Sequence, residues 1–213
     1  MVQSNLQPVT FDEFIEWYPR NSEFRYELHD GAIIQMPKPT GKHSKVAGFL
    51  VKKLNGASDL AERPYFIPKE CVVKPEGDQS GYEPEAILLN EETLTDEPRW
   101  EKDSTIMYGK SVVLIVEVVS TNWRDDYHKK FADYEAMGIP EYWVIDFVPY
   151  GASRFTGHPK QPTIWVYQLN SDGESIGKAF REDDRIEFQT FPNLQLTAAQ
   201  IFNSANPCSI QNS

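Results

Sequence analysis

Cysteine, histidine and positive charge are all scarce in this 213-residue chain, and each scarcity removes a class of function. The two cysteines, Cys71 and Cys208, have no metal-ligand spacing, which fits a reducing compartment and excludes a disulfide scaffold. The four histidines, at 29, 43, 128 and 158, lack zinc spacing. Lys and Arg number 21 against 32 Asp and Glu, a formal net charge of −11. That balance excludes a general DNA-coating protein, because phosphate binding draws on positive charge, so any nucleic-acid contact must come from a local patch. No apolar run reaches the length of a membrane span, and no basic-then-apolar leader marks export. A cytoplasmic protein without membrane attachment is therefore expected. There is no G-x-S-x-G elbow and no internal repeat. Residues 40–44 (TGKHS) lack the earlier glycine of a P-loop and carry His43 where its hydroxyl residue belongs.

What is present is ordinary in amount, with 40% hydrophobic and 25% charged residues, and predicts one soluble domain over 1–213 with a real core. Its centre is residues 112–146. An apolar run broken only by Glu117 leads into a helical pattern, and a second apolar run follows at 142–145. Runs apolar on both alternating faces suit strands covered on both sides, as in a parallel sheet with helices packed on it.

Around this unit the chain punctuates itself. Thr10 and Glu13 have capping-box spacing before Phe11, Phe14, Ile15 and Tyr18, predicting a short helix that ends at Pro19. Asp30-Gly31 between apolar segments predicts a hairpin. A helix is expected from His43, with Val46, Ala47, Leu50 and Leu54 on one stripe. Strands are expected at 65–74 and 85–90, and an irregular excursion at 91–110. A short antiparallel addition is expected from 163–169, 178–181 and 185–188. Thr197 with Gln200 opens a terminal helix, and the last ~10 residues should be loose. The fold class is thus α/β with a mixed sheet.

Three residues stand out on cost. Glu117 lies in a covered strand, where a carboxylate is unfavourable by several kcal/mol unless a cation or donors meet it. The helix after it is expected to start at Asn122 as N-cap, with Asp125 and Asp126 in its first turn, and to stop at Gly138. At a hundred degrees per residue Lys130 falls on its inward stripe with Tyr127, Phe131, Tyr134 and Met137, while Lys129 points outward. Glu85, just after Pro84, opens an apolar strand at the sheet's edge. Two carboxylates on neighbouring strands with a lysine nearby form a set that holds a hard divalent cation through oxygens. Such an ion lowers the pKa of bound water and stabilises the oxyanion of a scissile phosphodiester. Lys130 would orient that water or stabilise developing charge. A Glu117–Lys130 ion pair without chemistry satisfies the same cost argument and remains open.

Pro84-Glu85, then VEVVS at 116–120, then Lys130 within RDDYHKKFADY at 124–134, resembles the PD-(D/E)XK nuclease superfamily. More closely it resembles the bacterial restriction-endonuclease family called Uma-two, which the hairpin YELHDG (26–31), His43 and GIPEYW (138–143) also resemble. The likeness covers roughly residues 10–202. It implies a restriction-endonuclease-like α/β core, with a mixed sheet flanked by helices, an N-terminal helix and hairpin and a C-terminal antiparallel addition. The activity implied is Mg²⁺-dependent hydrolysis of DNA, with Mn²⁺ as a substitute and a homodimer left open. Carried over residue by residue, Glu85 and Glu117 are metal ligands with the Val118 carbonyl as a third. Lys130 is the catalytic lysine, displaced from the strand, where Val119 and Ser120 stand, to the following helix. Glu27 resembles the extra acidic residue of many members, although a surface strand residue is an equal reading. The proline is followed here by glutamate rather than aspartate, one methylene longer.

Five lysines (38, 42, 45, 52, 53) and no acid lie between Pro37 and Asn55. Lys38, Lys42, His43 and Lys45 are the candidate nucleic-acid contacts. The plainer alternatives are a solvated helix face for the lysines and a satisfied, partly buried histidine for His43. For the whole chain the alternative is a catalytically silent relative that binds a nucleic acid or a protein.

Overall fold

The computed structural model describes residues 7–19 and 23–206. Helix α1 (Phe11–Trp17) opens on the expected capping box, Thr10 accepting from the Glu13 amide and Glu13 from the Thr10 amide. Strands β1 (Tyr26–His29) and β2 (Ala32–Gln35) pair antiparallel around Asp30 and Gly31. Both turn residues have positive φ, 50° and 77°, the backbone that matches the twist of a two-residue hairpin. At Gly31 a side chain would collide with Pro8, so the turn also demands glycine for space.

Next come α2 (Gly41–Leu60), β3 (Tyr65–Phe66), β4 (Val72–Val73), β5 (Ala86–Asn90), α3 (Trp100–Asp103) and β6 (Thr105–Ile106). The chain continues through β7 (Val112–Val118), α4 (Lys130–Ala136), β8 (Glu141–Asp146) and α5 (Ser153–Thr156). It finishes with β9 (Thr163–Leu169), β10 (Ser175–Phe180) and α6 (Ala198–Ser204). Six strands form one mixed sheet in the order β10-β9-β8-β7-β5-β3, parallel only between β7 and β8. The crossover between those two carries α4, as the 112–146 pattern requires.

Alternation along β7 decides which side chains meet which layer. Leu114, Val116 and Val118 join Val46, Leu50 and Leu54 of α2 and Ile201 of α6 in one core. Ile115 and Val119 join Tyr127, Tyr134 and Ile139 in the core on the opposite face. Glu117 shares the parity of Ile115 and Val119, so it is committed to the α4 side. The hairpin is tied to that side as well. Leu28 and Gly81 exchange two backbone hydrogen bonds of 2.9 Å. Leu28 packs with Phe11 and Phe14, which leaves its neighbour Glu27 facing the other way.

Three expectations are corrected. Residues 65–74 are not one strand: β3 joins the six-stranded sheet, while β4 pairs with β6 in a separate parallel pair. Pro68 lies between them and offers no amide to a ladder. The segment 185–188 makes only an isolated bridge, Arg185 with Thr197, and the C-terminal addition is β9 with β10. The excursion at 91–110 contains α3 and β6. The helix after β7 starts at Trp123, directly after Asn122 as expected, and passes at Asp125–Lys129 into a π-turn that no side chain caps. The loose tail expected for the last residues, and Cys208, lie outside the described residues from 207 onward.

Leu50 is fully buried where α2 meets the sheet. Leu50→Ala should cost about 2–5 kcal/mol, read as a lower urea midpoint with an unchanged slope. A shift under about 1 kcal/mol would mean that α2 is not the layer closing this core.

Candidate active site

The π-turn sets the geometry. Its wider hydrogen bond runs from the Lys130 amide to the Asp125 carbonyl and places one extra residue in the turn before α4. Asp126, Lys130 and Tyr134, four residues apart, all point inward, and Lys130 is only 3% exposed. Its Nζ lies 3.0 Å from Glu27 Oε1, 3.1 Å from Glu117 Oε1 and 3.6 Å from Asp126 Oδ1. It also sits over the Tyr82 ring, 5.6 Å from the centroid. Three carboxylates from a hairpin, a central strand and the lysine's own helix thus share one ammonium.

Each acid is held separately. Glu27, fully buried, accepts from the Glu83 amide at 3.0 Å and contacts His29 Nε2 at 2.9 Å. Glu117 accepts from the Tyr134 hydroxyl at 3.0 Å, again through Oε1. Its Oε2 has no hydrogen bond from any of the described residues. Glu85 directly precedes Ala86, which pairs with Val116, so the register sets Glu85 beside Glu117. Its Oε2 accepts from the Val118 amide at 3.0 Å, and its Oε1 faces His43 Nε2 at 3.5 Å and Arg25 at 3.8 Å. His43 Nε2 lies 2.9 Å from the Val118 carbonyl oxygen. Arg25 is anchored in turn by Glu83, at 2.8 Å.

Glu85 and His43 open onto a cleft of about 750 Å³. Its lining includes Lys38, Lys42 and Lys45 together with Phe147, Val148 and Tyr150. Lys52 and Lys53 do not line it. The structure therefore brings together Glu85, Glu117, Val118, Lys130 and Glu27, and sets His43 and three lysines at the mouth.

The electrostatics follow from crowding acids in a buried place. Burial raises the pKa of Glu117 well above the usual carboxylate range. Lys130 opposes this, while Glu85, Asp126 and Glu27 push it further up. Asp126 is pushed up to about 7, first by burial and then, against Lys130, by Glu85 and Glu27. At Glu27 burial also acts upward, but Lys130 and His29 prevail and hold it at about 2. Burial alone would lower the pKa of Lys130, but Glu117, Glu27 and Asp126 raise it well above 10.5. The lysine is an ammonium at any ordinary pH.

In the sequence Asp126 has a sufficient explanation as a first-turn acid favoured by the helix dipole. Its i, i+4 spacing to Lys130 on the inward stripe was the available signal. Tyr134 fits the apolar stripe by spacing, and the partner that its buried hydroxyl needs is Glu117.

Among the described residues no three Asp, Glu, His or Cys side chains converge as a metal site. A cation would have the oxygens of Glu85 and Glu117 and the Val118 carbonyl, with water completing the shell, as Mg²⁺ commonly keeps it. The free Glu117 Oε2 and the excess of acids over nearby cations both suit such an ion.

A family model, "Uma2: Putative restriction endonuclease", matches residues 11–199. Among solved structures, one titled "a putative nuclease belonging to DUF820" from Anabaena variabilis ATCC 29413 superposes with a TM-score of 0.69. It is 20% identical and covers 93% of this chain and 100% of its own, a likeness of fold. No curated protein matches.

Removing the shared cation should be severe. Lys130→Met leaves three buried carboxylates without it and should cost about 3–5 kcal/mol at pH 7 in denaturant unfolding. A loss within 1 kcal/mol would mean the acids are solvated or protonated. Asp126 gives a pH signature. Its proton is bound more tightly folded (about 7) than at the ordinary value of 3.8, so its contribution to stability falls as pH rises between those values. In EDTA, wild-type stability minus that of Asp126→Asn should therefore decline from pH 4 to pH 7. A flat difference would contradict the raised pKa.

Proposed function

The chain belongs to the Uma2 family of restriction-endonuclease-like proteins, and from that premise we propose that it is a divalent-metal-dependent endodeoxyribonuclease. The family generally uses divalent metal ions. Mg²⁺, with Mn²⁺ able to replace it, fits the all-oxygen donor set of Glu85, Glu117 and the Val118 carbonyl. When bound, the ion would supply charge to the phosphate and make water a better nucleophile at neutral pH. In the reaction a water oxygen bonds to phosphorus and loses a proton. The bond from phosphorus to the leaving sugar oxygen breaks, and that oxygen takes up a proton.

The observation that carries this reading is the pairing of Glu85 with Glu117 on two neighbouring strands, beside a lysine in contact with the second acid. Lys130 serves as a positioning residue that fixes Oε1 of Glu117 and leaves Oε2 free. Glu27 keeps Lys130 in place, with its own pKa held low. His43, donating to the Val118 carbonyl through Nε2, turns that peptide toward the cleft. Lys38, Lys42 and Lys45 provide local positive charge in a chain whose net charge is −11.

One observation favours a second reading, a silent relative that only binds. The Val118 carbonyl already has His43 as a partner, and Glu85 Oε2 already has the Val118 amide. The two readings separate in a plasmid-nicking assay. With Mg²⁺ or Mn²⁺ the chain should nick DNA, EDTA should abolish the activity, and Glu117→Gln should reduce it on the order of 100-fold or more. Nicking unchanged in Glu117→Gln would reject this site, and no nicking with either metal would leave the silent relative.

A further inference from the structure

The cleft has more in it than a nuclease centre requires, and the excess is aromatic. Phe147, Val148 and Tyr150 follow directly on β8, the strand parallel to the one that carries Glu117. Tyr150 and Val148 are each 40% exposed, unusual for large apolar side chains beside so charged a site. The backbone beneath Tyr150 is nevertheless fixed. Its amide donates to Asp146 Oδ1 at 2.8 Å, and the next amide, from Gly151, donates to Asp146 Oδ2 at 2.8 Å. Lys160 Nζ donates to the Tyr150 carbonyl at 3.2 Å. Asp146 itself is fully buried, and Gly151 leaves no room for a side chain against Asp146 and Tyr127. A rigid loop thus offers an exposed ring to a cleft that also contains Lys38, Lys42 and Arg25.

Duplex reading asks for a helix or a two-stranded ribbon that enters a groove about 12 Å wide. This surface is concave instead, and its volume falls within the range of about 300–1,000 Å³ typical of sites for small molecules. A net charge of −11 opposes a long phosphate track, while the three lysines of the lining suit a short one. Aromatic rings beside cations are the means by which proteins hold unpaired strands, because every base has a face to stack.

We propose that the cleft binds an unpaired DNA strand, one base stacking on Tyr150 and adjacent phosphates held by Lys38 and Lys42. This rests on the nuclease reading for its orientation toward Glu85, and it names the substrate class as single-stranded DNA or a single-stranded segment within a duplex.

The test is fluorescence anisotropy in EDTA, where no cleavage occurs, with a labelled 20-nucleotide DNA strand, its blunt duplex and an RNA of the same sequence. Wild-type protein should bind the DNA strand at least tenfold more tightly than the duplex. Tyr150→Ala should weaken binding of the strand roughly ten- to hundredfold, while Tyr150→Phe, which keeps the ring, stays within about twofold. Lys42→Ala should lower the salt slope by about 0.7, the value for one phosphate of a single strand. Equal affinity for duplex, a preference for RNA, or Tyr150→Ala binding like wild type would each overturn the proposal. Added Mn²⁺ then tests the underlying reading separately: strand binding without cleavage of any of the three nucleic acids removes the nuclease but leaves the cleft assignment standing.

Discussion

One buried ammonium orders the centre of this protein. Lys130 is in contact with carboxylates from β1, β7 and the turn before α4, so it joins three parts of the chain that share no backbone hydrogen bonds at that point. Burying any one of these charges alone would cost several kcal/mol, and none of them has solvent enough to manage without the others. The hairpin must be where it is because Glu27 must reach the lysine.

The arrangement is nonetheless unbalanced. Glu27, Glu117 and Asp126 touch one lysine, and Glu85 adds its field from the next strand. The raised pKa values of Glu117 and Asp126 express that surplus. In a protein selected only for stability, hydrophobic replacements would do at least as well. Under the proposed function, that surplus of oxygen donors, with one oxygen of Glu117 untied, would suit a cation.

Much of this was legible in the sequence, for reasons that can be stated. Glu117 and Lys130 announced themselves because each breaks an apolar pattern that otherwise holds over many residues. The capping boxes at Thr10 and Thr197 and the Asp30-Gly31 turn were legible because their chemistry is local. Asp126 was hidden by a simpler explanation for a first-turn acid, and the π-turn by the absence of any residue pattern that demands one. The break between β3 and β4 was marked by Pro68, but strand propensity on both sides concealed it. Tyr150 could not be found from spacing at all. Its role depends on Asp146 gripping two successive amides, a contact that exists only after β8 has been placed in the sheet.

The central claim is that this surplus of acid is the seat of a divalent ion, and anomalous diffraction from crystals soaked in Mn²⁺ tests it most directly. The account predicts one strong peak bonded to Glu117 Oε2 and a Glu85 oxygen, at about 2.0–2.4 Å, with Lys130 still in place. Ordered crystals with no peak there, or with the manganese bound elsewhere on the surface, would contradict it.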